Sequence, residues 1–202
     1  MYLDGSIRSY LDDLAAKRPT PGGGSTAALV GATGAGLLSM VASFSKEEVI
    51  KKILQKTEDL RRELTELVDR DVAVYQKVSA AYKLPKEKPV QKRKRSKAIQ
   101  DALKEALTVP LEVCKLCHET IKLCGELAEK GNVSLISDVG VGVCLLEAAF
   151  QSALLNVEIN LKGLKDEELI IETRKILEPL IGEVHAYKES AWEKTKARME
   201  GK

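Results

Sequence analysis

Residues 21–44 read PGGGSTAALVGATGAGLLSMVASF, and the division of this stretch decides the fold. From Ala27 to Phe44 there are eighteen residues without a charge, which on length alone reaches the transmembrane range. Composition points elsewhere. Gly, Ala, Ser and Thr dominate, and small residues let neighbouring helices approach closely. The stretch therefore reads as a central helix of a soluble bundle and not as a membrane span. Upstream, Arg18-Pro19-Thr20-Pro21-Gly22-Gly23-Gly24-Ser25 holds two prolines and three consecutive glycines, which reads as a loop. Ser25 or Thr26 then caps the apolar helix.

Working outward, an amphipathic helix from Ser6 to Lys17 precedes the loop, with Ile7, Tyr10, Leu11 and Leu14 on one face. Ser45, with Glu48 three residues on, reads as a capping box for a third helix that stops before Pro85. A fourth starts near Pro89 or Lys92 and runs to Lys130, with a kink expected at Pro110, which lacks an amide hydrogen. Gly131-Asn132 closes it with a left-handed signal. A fifth runs from Ser137 or Asp138 to Lys162. Its sequence VGVGVCLLEAAFQSALL (139–155) is apolar nearly all round, so it is expected at the centre of the bundle or shared with a second subunit. A sixth runs from Asp166 to the end, with a bend expected at Pro179. No strand period or internal repeat appears. The expected fold is an all-α bundle of about six helices, with residues 1–202 as a single domain.

Composition agrees. Aromatic residues are only 4% of the 202-residue chain, and the 44% hydrophobic content is mostly Ala, Leu, Val and Ile, a helical mix. The net charge of +2 excludes strong global steering toward nucleic acid. The run Lys92-Arg93-Lys94-Arg95 lacks interleaved aromatics and reads as a solvated face. The N-terminus has no apolar core of a signal peptide. With four cysteines and no export signal, free thiols in a reducing cytoplasm are expected. Cys114, Cys117 and Cys124 share a helical stretch with His118. There they read as core residues, so no metal site is expected.

The third helix carries the most pointed signal. Leu60, Leu64, Leu67, Asp71, Val74, Val78 and Ala81 recur at alternating steps of four and three, a core stripe with one aspartate in it. A carboxylate there must be paired, hydrogen-bonded or shifted in pKa. Asp71 is therefore the catalytic candidate, against the plainer reading of a buried ion pair. Asp69 belongs to a stripe with Arg62, Glu66, Ala73 and Gln76 and is expected in solvent. Gly22, Gly23, Gly24 and Ser25 allow backbone amides to approach a ligand at a helix N-terminus; they match neither a P-loop nor a dinucleotide fingerprint. Asn132 and Asp138 read either as site residues or as helix caps. Asn156 and Asn160, four apart, share one face of an apolar helix and need polar partners.

Taken in order, PGGGS (21–25) with Ala27-Ala28, LVDRD (67–71), Leu84-Pro85-Lys86, Val109-Pro110-Leu111, Gly131-Asn132, Ser137-Asp138 and NVEINL (156–161) form a set. The set resembles the cyclodeaminase domain of formiminotransferase-cyclodeaminase and its stand-alone bacterial relatives, including methenyltetrahydrofolate cyclohydrolases, over nearly the whole chain. The resemblance implies an all-α homodimer and a folate site between helices and subunits. It also implies a catalytic aspartate in the Asp69/Asp71 region and no metal or redox cofactor. The implied reaction converts 5-formiminotetrahydrofolate to 5,10-methenyltetrahydrofolate with release of ammonia; the alternative is hydrolysis of the methenyl compound. A silent helical binding module is the rival from another class. On this reading Asp71 and Asp138 are catalytic, and Gly22, Gly23, Gly24, Ser25, Lys86, Asn132, Asn156 and Asn160 bind substrate. The basic residues from Lys86 to Arg95 would meet a polyglutamate tail.

Overall fold

The computed structural model describes residues 1–201. Six helices appear in chain order: α1 (Ile7–Ala15), α2 (Gly23–Ser43), α3 (Glu48–Tyr82), α4 (Pro89–Lys130), α5 (Ile136–Gly163) and α6 (Glu167–Met199), with a short 3-10 turn at Val133–Leu135. No strand occurs among the described residues.

The small residues of α2 explain its place. It lies between α3 and α5, and its glycines fall where neighbours come closest. A Cβ on Gly31 would meet Cys117 Sγ at 3.0 Å and Leu64 Cδ2 at 3.2 Å. A Cβ on Gly34 would meet the Gly142 carbonyl at 3.1 Å, and one on Gly142 would meet the Gly34 carbonyl at 3.3 Å. At that crossing α2 and α5 touch backbone to backbone. The pairs Ser39–Thr57, hydrogen-bonded at 2.9 Å, Gly31–Leu64 and Gly24–Asp71 set α2 and α3 antiparallel in one register. Around them α4 packs against α3, α5 and α6. The core runs through all six helices, with Leu38, Leu64, Val113, Leu146 and Phe150 fully enclosed. Each such side chain contributes roughly 1.5–3 kcal/mol of burial.

Both α2 and the Val133–Gly163 segment are long and apolar enough to cross a membrane, yet α2 is packed among α3, α4 and α5. α5 is buried along one side only: Val141, Cys144, Ala148, Leu155 and Ile159 form an exposed apolar stripe on the other.

Local readings needed correction at several points. Gly23, Gly24 and Ser25 belong to the first turn of α2, with Gly22 as its N-cap; the loop ends earlier than the glycines imply. Ser45 makes no capping box: its hydroxyl donates to Val41 O and accepts from the Asn132 amide, and Glu47 is the N-cap of α3. Gly131 closes α4 at φ −67° and not in the left-handed region. On α1 only Tyr10 is buried, while Ile7 and Leu11 are exposed. The readings of Cys114, Cys117, Cys124 and His118 as interior residues of α4 agree with the structure. Burial pushes the Cys114 thiol up to about 12 and those of Cys117 and Cys124 higher still. His118 Nε2 meets Glu183 Oε2 at 2.7 Å.

Candidate active site

At one end of the bundle, the N-terminus of α2, the second half of α3, the middle of α4 and the C-terminal end of α5 enclose a cleft of about 800 Å³. Volumes of this size accept a drug-sized organic ligand. Gly22, Gly23 and Gly24 line one wall, Asp71, Val74, Tyr75, Ser79 and Tyr82 of α3 another, and Asn156 and Asn160 of α5 a third.

Asp71 interrupts the buried stripe of α3. Leu60, Leu64, Leu67, Val74, Val78 and Ala81 are buried, whereas Asp71 is half-buried and faces the cleft. Its Oδ2 accepts the Ser25 backbone N–H at 2.9 Å. Asp71 thus satisfies one of the orphan amides of α2 from a neighbouring helix. Two effects oppose each other at this carboxyl. Desolvation favours the neutral acid and the Ser25 amide favours the carboxylate; burial is larger and pushes the pKa above its ordinary value. A carboxyl moved toward neutrality is suited to taking and returning a proton.

The close approach explains one glycine sterically. A Cβ on Gly24 would lie 2.1 Å from Asp71 Oδ1 and 2.7 Å from Cγ, so any side chain there displaces the Asp71 carboxyl. Gly23 faces Asn156, whose side-chain atoms would lie 3.5 and 3.6 Å from a Cβ there. Asn156 donates from Nδ2 to Ser152 O at 2.8 Å, and Asn160 to Asn156 O at 2.9 Å. Each amide keeps an oxygen and a second hydrogen for other partners.

Lys86 lies outside this cleft, in an adjoining groove with Lys92, Arg95, Ser96 and Lys165. Tyr82 and Gly163 line both spaces, so the groove continues the cleft with a basic floor. Two sequence candidates lie elsewhere. Asn132 caps the 3-10 turn: it accepts from the Ser134 amide and donates to Phe44 O, both at 2.9 Å. Asp138 occupies the first turn of α5, eighteen residues before Asn156, or about 27 Å along the helix. Within one chain neither lines the cleft with Asp71, and the N-cap of α5 is Leu135, not Asp138.

Asp69 also departs from expectation. It is buried, and its carboxylate accepts the amides of Tyr2 at 2.7 Å and Leu3 at 3.2 Å, because the N-terminal segment folds back over that face of α3. Tyr75, Ser79, Tyr82 and Lys83 of the cleft wall were not singled out from sequence. They follow Asp71 at four, eight, eleven and twelve residues, helical spacing that was itself the available signal.

The sequence profile described as formiminotransferase-cyclodeaminase matches residues 6–178. The chain belongs to this family. A methenyltetrahydrofolate cyclohydrolase of Methylorubrum extorquens is 43% identical, the match covering 96% of this chain and 97% of that one. A formimidoyltransferase-cyclodeaminase of Rattus norvegicus is 33% identical over 90% of this chain, which corresponds to 35% of the rat protein. The crystal structure of formiminotetrahydrofolate cyclodeaminase from Thermotoga maritima superposes with a TM-score of 0.77 at 32% identity, over 98% of this chain and 96% of that one. The all-helical architecture is therefore that of the family, and the cleft at Asp71 belongs to a cyclodeaminase-type fold.

Proposed function

We propose that the cleft converts a one-carbon unit carried between N5 and N10 of tetrahydrofolate, with Asp71 moving the proton. The observation that carries this reading is the Asp71 carboxyl itself: raised in pKa, held by the Ser25 amide and facing a cleft walled by glycine backbone. The identity of 43% to a stand-alone cyclohydrolase favours hydrolysis of 5,10-methenyltetrahydrofolate. Asp71 takes a proton from water as its oxygen bonds to the methenyl carbon. The carbon–N5 bond then breaks as N5 receives the proton from Asp71, the hydroxyl proton passes to solvent, and a formyl group remains on N10. The second reading, favoured by the structural match to a cyclodeaminase, places the same carbon under attack by N10 of 5-formiminotetrahydrofolate. The formimino nitrogen enters protonated; Asp71 takes the N10 proton and delivers it to that nitrogen, which leaves as ammonia with the methenyl cation remaining. Both routes pass through a tetrahedral carbon between N5 and N10, and neither needs a metal or redox cofactor.

In this reading Gly22, Gly23, Asn156 and Asn160 border the pterin, and the groove at Lys86, Lys92, Arg95 and Lys165 receives the glutamate end. A second copy of the chain is the proposed partner for the exposed α5 stripe, because Ile159 also lines the cleft and the stripe is continuous with it. Cytoplasmic location fits the four unpaired thiols. The test is direct. Loss of methenyl absorbance without ammonia identifies the hydrolase, and ammonia release from the formimino substrate identifies the cyclodeaminase. Absence of both activities, or full activity in Asp71→Asn, refutes the reading. Light scattering at several concentrations tests the dimer.

A further inference from the structure

We propose that Tyr10 is a positioning residue for the reaction, acting through Ser25 and the N-terminus of α2 on Asp71; this rests on the reading of Asp71 as the proton-handling group. Tyr10 lies on α1, touches none of the cleft and is 4% exposed. Its hydroxyl lies 3.2 Å from Ser25 Oγ and 3.2 Å from Thr26 Oγ1. The direction of these bonds follows from hydrogen counting. Thr26 has one hydroxyl hydrogen, and it goes to the Gly22 carbonyl at 2.9 Å. Tyr10 must therefore donate to Thr26, which spends its only hydrogen, and so Ser25 must donate to Tyr10. One directed chain results, from Ser25 through Tyr10 and Thr26 to Gly22. Both of its ends are site elements: Gly22 lines the cleft, and the Ser25 amide holds Asp71.

Ser25 is fully buried, and Tyr10 is the partner its hydroxyl has. Without the phenol oxygen, that hydroxyl must turn toward its own helix or stay unsatisfied, and the first turn of α2 shifts with it. The N-terminal segment locks the phenol in place. The Tyr2 ring packs edge-on against Tyr10 at 5.3 Å, and the Tyr2 amide is tied to Asp69. The two aspartates of LVDRD thus work from different sides. Asp69 anchors the segment carrying Tyr10, and Tyr10 orients the turn that holds Asp71. The other titratable groups around the cleft are Tyr75, Tyr82 and Lys83 from α3 and Lys162 from α5; α2 and α4 contribute none to its lining.

The experiment compares Tyr10→Phe, Ser25→Ala and the double variant in the full-length protein, reading kcat/KM against pH and titrating the Asp71 carboxyl by NMR without substrate. The Ser25 amide favours the carboxylate, so loosening it moves the acid limb and the NMR titration upward by about half a pH unit or more. The double variant moves no further than the larger single one, because both cut the same chain. Tyr10→Phe and Ser25→Ala variants that melt earlier but keep the wild-type limb and titration overturn the proposal while leaving the function of Asp71 standing. Additive shifts also overturn it. A wild-type limb in Asp71→Asn removes both the proposal and the reading on which it rests.

Discussion

Gly24→Ala isolates the contact on which the site depends. The new Cβ would stand 2.1 Å from Asp71 Oδ1. To reach ordinary contact at 3.4 Å the oxygen has to retreat by about 1.3 Å. It retreats by swinging the carboxyl out of line with the Ser25 amide, which forfeits a hydrogen bond to a charged group worth about 1.5–3 kcal/mol. Alanine returns up to about 1 kcal/mol through its higher helix propensity. The net loss of about 0.5–2 kcal/mol lowers the melting midpoint by about 1–8 °C for a chain of this size. The effect on turnover is larger, because displacement of a reacting group by about 1 Å costs on the order of a hundredfold. The controls are adjacent. A Cβ on Gly23 meets Asn156 only at 3.5 Å, and one on Gly22 has nothing nearer than the Pro19 carbonyl at 4.0 Å. Those two variants leave Asp71 in place, so their cost appears in KM while kcat is retained. Steady-state kinetics and calorimetry on the three alanine variants decide the matter. Wild-type turnover in Gly24→Ala, or equal damage at Gly23 and Gly24, refutes the reasoning.

Three further outcomes follow from the same geometry. Asp71→Asn loses turnover by roughly 10²–10⁴-fold yet melts later than the wild type at neutral pH. A carboxyl whose folded pKa is raised loses stability as the pH climbs through that value, so the advantage of the amide fades as the pH falls to the ordinary carboxylate range; an earlier melt at neutral pH contradicts this. Asp69→Asn weakens the hold on the Tyr2 and Leu3 amides. Hydrogen exchange quickens across residues 1–15 before it does in α3 or α4, and uniform quickening counts against a local anchor. Native alkylation leaves buried Cys114, Cys117 and Cys124 unlabelled until unfolding, while Cys144, on the proposed dimer face, labels in dilute monomer and is protected where the dimer forms; mass spectrometry finding two or more labels in the native protein excludes this packing.

Helices were legible from sequence because their signals are local. Apolar spacing marked the faces, and Pro85 and Gly163 marked the ends of α3 and α5. The burial of the stripe around Asp71 was legible as well, since a charge among leucines is conspicuous within a single helix. What failed depended on contacts distant in sequence. Gly23 and Gly24 look like loop residues, but they form the first turn of α2, where Gly24 leaves room for a carboxylate forty-seven residues later that accepts the Ser25 amide. Asp69 follows a solvated pattern within α3, and only the returning N-terminal segment buries it. Ser45 has the spacing of a capping box, yet its oxygen is taken by the Asn132 amide eighty-seven residues away. Asn132 and Asp138 are polar residues at a helix junction, and nothing local separates a cap from a ligand contact.

The bare crossing of Gly34 and Gly142 is a fulcrum. From Gly142 to Asn156 is fourteen residues, a lever arm of about 21 Å. Rocking α5 about that point by about 3° carries Asn156 roughly 1 Å across the mouth of the cleft, the scale on which reaction geometry is won or lost. The reach of α5 toward the cleft is thus measured from two residues that have no side chains and line no part of it.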